Sequence, residues 1–496
     1  MRTLWIIIPV LLLYGVLGFR LALKMDQFLS GTDTPYESNT GAILAKFWKK
    51  LHGCWEALPL RKYVHHISHT RIIAFSFILV ILTGTLLLSL PFATRDGSVT
   101  PVIDCLFTAT SATCVTGLVV YDTFTHWSLF GQLTILCMIQ IGGIGLMTLI
   151  TMFAIFMKKQ IGLHERMLLM QSSGNIRVSG VIRLVQRICL GTFCMEALGA
   201  LLLFFRFFPE FGWKKGLYYS IFHAISAFCN AGFDLMGSKV PSSSLTGYVN
   251  DPLVNLTIMT LIVVGGIGFL VWSDIGKFKF RFPLYSLHSK IVLATTGFLI
   301  FSGALLFLVL EPACNPLSAL FMSVTTRTAG FNTIDISALS DSSAVVSMIL
   351  MLIGGSPGST AGGIKTTTIA VIFLTVVALG KGQSDVIVFN RKIDDSLIKN
   401  AAAIIFTYFI DILVVAMIIC TSDGIDFLHS AFEAVSAAGT VGLTMGITSS
   451  LGTLSKAALL LLMFCGRIGA LSMILVFGEQ KKKPPLQRPL EKVLLS

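Results

Sequence analysis

Long apolar runs alternate along the chain with short polar connections. Uninterrupted runs occupy 4–23, 72–93, 127–157, 180–208, 252–276, 286–310, 398–420 and 454–478, and an interrupted one occupies 343–380. A helix needs roughly 20 apolar residues to cross the hydrocarbon of a bilayer. The pattern therefore predicts about nine spanning helices. It predicts no soluble domain, because no polar stretch is long enough to bury a core of its own.

Between pairs of these runs sits a shorter segment that recurs four times. The copies are FTATSATCVTGL (107–118), FHAISAFCNAGF (222–233), FMSVTTRTAGF (321–331) and FEAVSAAGTVGL (432–443). Each opens on Phe, carries Ser or Thr in its middle, and ends on Gly followed by Phe or Leu. The third copy is one residue shorter between its Phe and its Gly. Internal repeats of this kind define an architecture. Each segment is too short to span, and fits a half-helix that stops at mid-depth and returns as an extended strand. Irregular backbone at that depth is tolerated only where it lines a watery path or is buried in protein. The expected fold is an all-α membrane protein with four tandem helix–pore-helix–helix repeats in pseudo-four-fold arrangement around one pore, plus one extra N-terminal helix. The expected boundaries are 1–71 for the N-terminal helix and interfacial segment, 72–160, 175–278, 284–382 and 394–480 for the repeats, and 481–496 for a cytoplasmic tail.

The residue types suit an ion filter. A dehydrated monovalent cation needs oxygens that replace its hydration shell, and rings of backbone carbonyls supply them. Pointing carbonyls at an axis requires backbone angles that glycine adopts cheaply. One glycine ends each copy: Gly117, Gly232, Gly330 and Gly442. The residues before them would supply the other carbonyls. They are Thr113, Cys114, Val115 and Thr116; Cys229, Asn230 and Ala231, preceded by Phe228; Arg327, Thr328 and Ala329, preceded by Thr326; and Gly439, Thr440 and Val441, preceded by Ala438. None carries a carboxylate, which argues against a side-chain filter. The C-terminal end of each half-helix would turn its partial negative charge toward a cation in the cavity. Small residues also serve helix packing; four copies, each between two spanning helices, favour the filter. Arg327 on the axis would block conduction, so its side chain is expected behind the filter, with Glu433 as a candidate partner.

Charge supplies the orientation. Only 12% of residues are charged, against about a quarter in a soluble protein, and the mean hydropathy is +0.82. The net charge of +12 could suggest nucleic acid. The bases instead cluster in alternate loops: Lys158 to Arg187, Lys277 to Lys290, Lys381 to Lys399, and Lys481 to Arg488. The positive-inside rule makes those loops and the C-terminus cytoplasmic and places Met1 outside. The opposite loops hold Asp96, Asp104, Asp122, Glu210, Asp234, Asp251, Glu311, Asp335, Asp341, Asp423, Asp426 and Glu433. These acids read either as a cation-attracting vestibule or as solvated loops and helix caps. The run at 4–23 lacks a clean small-residue cleavage site, so it reads as a retained helix rather than a signal peptide. The stretch AILAKFWKKLHGCWEALPL after it suits the interface. The ten cysteines have no metal or disulfide spacing, and the histidines, His65, His66 and His69 among them, form no ligand set. No catalytic constellation is present, and the chain is expected not to be an enzyme.

Residues 354–363, GGSPGSTAGG, hold five glycines and a proline. No helix runs through them unbroken. A Gly/Pro break inside a spanning run points to a functional site, with a passive kink as the alternative. The segment also resembles a phosphate-binding loop, but no strand precedes it and no soluble domain surrounds it. Arg467 lies inside the last apolar run, where a charge is costly and marks function unless it snorkels to the headgroups. Lys365, just after the break, reads as a lysine that snorkels from the cytoplasmic end. GGIG occurs at 142–145 and again at 265–268.

The stretches TTRTAGFNT, SAFCNAGFD and GGSPGSTAGGIKT resemble signatures of the Trk/Ktr/HKT superfamily of potassium transporters, and within it the bacterial TrkH- and KtrB-type membrane subunits. The resemblance covers about residues 70–480. It implies potassium as the transported ion, no bound cofactor, and a multi-pass location in a bacterial plasma membrane. In members that pass sodium, serine often replaces the first filter glycine; here that residue is Gly117. The resemblance implies that Gly354, Gly355, Ser356, Pro357, Gly358, Ser359, Thr360, Ala361, Gly362 and Gly363 form a gating loop beneath the filter, with Arg467 projecting into the pore beside it. It also implies a homodimer in the lipid bilayer, and a cytosolic TrkA- or KtrA-like ring of nucleotide-binding regulatory subunits. The rivals fit less well. A solute transporter of another class usually shows two inverted repeats, and a receptor scaffold has no use for four re-entrant glycine segments.

Overall fold

The computed structural model describes residues 69–145, 148, 181–279, 281–312, 314–383 and 385–469. The expected N-terminal helix at 4–23, the interfacial stretch after it, most of the 146–180 connection and the 481–496 tail lie outside the described residues.

The first repeat is α1 (His69–Leu88), α2 (Val102–Cys114) and α3 (Leu129–Ile144). The second is α4 (Val181–Phe228), α5 (Pro252–Gly266) and α6 (Phe269–Phe278). The third is α7 (Leu287–Leu310), α8 (Pro316–Thr325), α9 (Asp341–Leu352) and α10 (Thr366–Gly380), and the fourth is α11 (Asp395–Asp423), α12 (Phe427–Gly439) and α13 (Thr453–Ile468). α4 is two helices in one: Pro209 and the non-helical Gly212 separate a spanning part from a second pore helix. Side-chain caps start most of these helices. Asp251, Ser286, Asn315, Ser340, Asp394 and Asp426 each accept a backbone N–H from the first turn that follows, each typically contributing about 1 kcal/mol.

The repeats close in a cycle. α3 packs on α4, α5 on α8, α9 on α12, and α13 returns to α2. Each inner helix thus lies against the pore helix of the next repeat. The Phe that opens each copy, Phe107, Phe222, Phe321 and Phe432, is fully buried in the common core. On the outer helices the apolar side chains face outward, with Phe301 of α7 75% exposed and Phe406 of α11 65%, as a lipid-facing surface requires.

Where they are described, not all the apolar runs are single continuous helices. Among the described residues, four helices are long and apolar enough to cross a membrane, or five if α5 and α6, bent by 96°, are one span. Within the expected run at 252–276, α5 gives way to α6 at Gly268, and α3 and α13 end at Gly145 and Gly469 inside the runs at 127–157 and 454–478. Gly145 (φ 88°, ψ 129°), Gly268 (93°, 143°) and Gly469 (94°, 131°) share one conformation, which favours a residue without a Cβ. The connection between α10 and α11 also holds a small antiparallel hairpin, β1 (Ile387–Val388) with β2 (Arg391–Lys392).

Most acids of the expected vestibule have structural partners. Glu210 pairs with Arg206 and Lys239. Glu311 accepts the Ser340 N–H, and Asp423 the Gly452 N–H. Asp104, at the first turn of α2, is buried and pairs with Lys456 of α13 at 2.7 Å, while Tyr121 Oη donates to its other oxygen. Side-chain exposures of 6% and 11% make this a buried ion pair between the first and last repeats. Lys456→Met should destabilise the protein by about 3–5 kcal/mol, because it strands the Asp104 charge. Adding Asp104→Leu should recover most of the loss. Thermal unfolding in detergent measures both, and a single variant as stable as the parent would refute the pair's importance.

Candidate functional site

Three of the four pore segments leave their helix in one way. In the first, second and fourth, the N–H of Thr116, Ala231 and Val441 donates five residues back to the carbonyl of Ser111, Ser226 and Ser436, each at 2.8 Å. In the third, one residue shorter, Ala329 N–H donates four back to Thr325 at 2.9 Å. The mid-segment hydroxyls pin the strand that follows. Ser111 and Ser436 Oγ accept the N–H of Gly117 and Gly442 at 3.0 Å. Ser226 Oγ and Thr325 Oγ1 donate to the carbonyls of Phe233 and Phe331.

The backbone then alternates identically in all four. Val115, Asn230, Thr328 and Thr440 are left-handed (φ 58°, 60°, 68° and 51°), and two residues later Gly117, Gly232, Gly330 and Gly442 are again at positive φ (94°, 69°, 81° and 92°). The glycines form a closed ring. A Cβ on Gly117 would lie 2.5 Å from the Ala231 oxygen, and one on Gly232 would lie 2.8 Å from the Ala329 oxygen. One on Gly330 would strike the Val441 oxygen, and one on Gly442 the Thr116 oxygen, returning to the first repeat. Each glycine is thus free of a side chain at the point where its neighbour's carbonyl stands.

Not every expected ring carbonyl is in that position. Those of Thr113, Phe228 and Ala438 face Gly142, Gly265 and Gly466 of their own inner helices, where a Cβ would collide with them. The Arg327 carbonyl accepts from Asn230 Nδ2 at 3.3 Å. The Arg327 side chain is buried, but the Glu433 pairing does not form. Glu433 accepts from Thr448 Oγ1, and no ion pair joins the two among the described residues. Depth in the membrane was too coarse a guide to a partner.

The broken segment lies immediately beside this ring. It leaves α9 at Ile353, which bridges Ile364, and returns at Lys365. Ser356 N–H and Thr360 N–H donate to the carbonyls of Gly266 and Gly265, and Phe269 N–H donates to Gly358, so the loop fills the bend between α5 and α6. Thr360 Oγ1 donates to the Phe228 carbonyl at 3.1 Å and stands 3.2 Å from Asn230 Oδ1. A Cβ on Gly362 would strike Thr440 Oγ1, and one on Gly363 would meet the Gly439 oxygen at 3.0 Å. The loop therefore touches the second and fourth pore segments at once. Buried Ser356 and Thr366 close its base, hydroxyl to hydroxyl at 3.1 Å.

Arg467 does not snorkel. Its Nη1 donates to the Thr360 carbonyl of the loop, and its Nη2 donates to the Gly142 carbonyl and, at 3.5 Å, to Gly143. One guanidinium thus bridges the third-repeat loop and the first-repeat inner helix. Lys365 also turns inward, donating to the carbonyls of Ala361 (2.8 Å) and Gly362 (3.4 Å). Sequence reasoning missed that role, and missed the kinship of GRIG at 466–469 with the two GGIG motifs. Arg467 stands where Gly143 and Gly266 stand in the first two repeats.

Comparison with known proteins identifies the family. The chain matches the family described as TrkH, cation transport protein, over residues 61–315 and 284–484. It is 40% identical over 426 residues to the Ktr system potassium uptake protein B of Bacillus subtilis, covering 83% of this chain and 93% of that protein. It is 38% identical over 447 residues to the potassium/sodium uptake protein NtpJ of Enterococcus hirae, covering 86% and 97%. The crystal structure of the potassium transporter TrkH from Vibrio parahaemolyticus superposes with a TM-score of 0.71 at 17% identity, covering 96% of this chain and 99% of that one. A family match across nearly the whole chain, with a shared fold, makes this a multi-pass membrane protein that belongs to the TrkH family of cation transport proteins.

Proposed function

We propose that this chain is the membrane subunit of a Trk/Ktr-type uptake system, and that it carries potassium inward through the ring of Gly117, Gly232, Gly330 and Gly442. The closed ring carries the reading: four like-shaped strands, each free of a side chain where a neighbour's carbonyl stands, suit a bare monovalent cation. The Bacillus subtilis relative is named for potassium uptake, and glycine stands at all four ring positions. The driving force is the membrane potential. One charge moved through 100 mV is worth about 2.3 kcal/mol, enough to concentrate potassium some forty- to fifty-fold. Purified protein in liposomes should take up rubidium far faster than sodium under a negative internal potential; equal rates would reject a potassium filter. A second reading, that sodium also passes, is favoured by the name of the Enterococcus relative, and the same assay decides it.

The loop 354–363 and Arg467 act as the gate beneath the filter. A fixed positive charge hydrogen-bonded to both sides of the path repels a cation until it is displaced. A second copy of the chain and a cytosolic KtrA- or TrkA-like nucleotide-binding ring complete the system, the ring moving the loop through the cytoplasmic helix ends. The orientation follows the positive-inside pattern. A cysteine introduced at the exposed Val240 position should therefore react with an impermeant reagent from outside.

That orientation puts Asp234, two residues past Gly232, at the external mouth. Burial pushes its carboxyl up to about 7; the hydrogen bond from Met236 N–H opposes this, and the nearby Asp122 carboxylate adds to it. The group is charged above that pH and neutral below it. Uptake should fall as external pH drops through about 7, because the attracting charge is lost. Asp234→Asn should start at the lower rate and show a flat profile over the same range. A profile that the substitution leaves unchanged would exclude Asp234 as the source.

A further inference from the structure

Glu196 is an acid in the middle of the spanning part of α4, 5% exposed, with no ion-pair partner among the described residues. A carboxylate at such depth is expensive and marks function by default. Its contacts are specific. Both oxygens accept from Gln140 Nε2 of α3, at 2.9 and 3.1 Å. Gln140 Oε1 accepts from Cys229 Sγ of the second pore segment at 3.6 Å, and the same thiol stands 4.0 Å from Glu196 Oε1. One turn further along α3, Gly143 has no side chain, and Cys229 Sγ fills the space, 2.5 Å from where a Cβ would lie.

This cluster fixes the last turn of α3 to α4 and to the second filter strand. That same turn presents the Gly142 and Gly143 carbonyls to Arg467. The helix ends just beyond it, at the left-handed Gly145, so little else on α3 itself holds these carbonyls in place. We propose that Glu196 is a positioning residue for the gate: through Gln140 and Cys229 it holds the end of α3 so that the Gly142 and Gly143 carbonyls stay on the Arg467 guanidinium. The proposal rests on reading Arg467 as part of the gate. An apolar residue at 196 would fill the space equally well, but would let the turn shift and release Arg467 from the first repeat.

The test uses the full chain in liposomes without its regulatory partner, measuring rubidium flux and the potassium/sodium ratio. Glu196→Leu and Gln140→Leu should each raise partner-free flux about tenfold with the ratio unchanged. Glu196→Gln should stay close to the parent, because its amide still offers Gln140 an acceptor and can donate to Gln140 Oε1. Glu196→Leu combined with Arg467→Ala should leak no more than Arg467→Ala alone, since both act on one contact. Parental flux in both leucine variants, while Arg467→Ala leaks, would overturn the positioning role and leave the gate standing. Additive leaks would place Glu196 outside the Arg467 contact, and a Glu196→Gln leak equal to that of Glu196→Leu would remove the hydrogen bond as the cause. An unchanged Arg467→Ala would overturn the gate and this proposal together. If Glu196→Leu fails to insert, Gln140→Leu carries the same outcomes.

Discussion

Gly117→Ser is expected to leave the protein folded and inserted, but to cut its potassium-over-sodium preference tenfold or more. Gly117 sits at φ 94°, where an L side chain costs about 1–2 kcal/mol. Its new Cβ would also lie 2.5 Å from the Ala231 oxygen and 3.3 Å from the Gly232 Cα. Neither neighbour is the end of a flexible side chain; both are backbone of the next strand in the ring. The first and second strands must separate, and the carbonyls of Thr116 and Ala231 move with them. Selectivity compares two ions in one cage, and about 1.4 kcal/mol of lost preference is already a factor of ten. Gly442→Ala should do more harm, because the Gly117 Cα stands only 2.8 Å from the new atom. Paired rubidium and sodium fluxes on monodisperse protein are the measurement. A full ratio in Gly117→Ser would show that the ring does not discriminate.

Arg467→Ala should raise partner-free potassium flux at least tenfold and leave selectivity nearly unchanged. The arginine ties the Thr360 carbonyl of the loop to the Gly142 carbonyl of α3. Hydrogen bonds to a charged group are worth about 1.5–3 kcal/mol each, and the positive charge goes with them. If the two states of the loop differ by a few kcal/mol, losing such contacts moves the population by one to two orders of magnitude. Deleting Pro357 to Ser359 should act in the same direction, since these residues carry the loop into the α5–α6 bend. The double change should leak no more than the larger single one. Equal or lower flux in correctly inserted variants would leave the loop as a passive kink.

The repeat, the ring and the broken helix were legible because each is written locally. A Phe, a hydroxyl and a Gly at near-constant offsets mark a pore segment four times over, and five glycines with a proline exclude a helix at 354–363. What stayed hidden was either backbone sign or distance. Hydropathy sums side chains and does not register that α3, α5 and α13 stop at the positive-φ glycines Gly145, Gly268 and Gly469, although GGIG, GGIG and GRIG stand in plain text. Asp104 and Lys456 lie 352 residues apart, and nothing local joins them. Glu433 was matched to Arg327 by depth, whereas a threonine fifteen residues along its own repeat takes it. The acids of the external loops were ambiguous for a related reason: a capping aspartate and a vestibule aspartate look alike until the helix behind them is known.

The position held by Gly143, Gly266 and Arg467 in the inner helices of the first, second and fourth repeats has a consequence for how such a pore can be regulated. A channel assembled from four identical chains writes every substitution four times. An arginine at this level would then place four like charges around one narrow axis, a plug that mutual repulsion would destabilise and that no single movement could clear. Fusing the four quarters into one polypeptide removes that constraint. One quarter can carry the charge, another can lengthen into a loop that receives it, and the first can keep bare glycine carbonyls for it to grip, while the four ring glycines keep their near-symmetric backbone. A single chain can therefore hold this asymmetry beside a near-symmetric ring, and either can vary without the other.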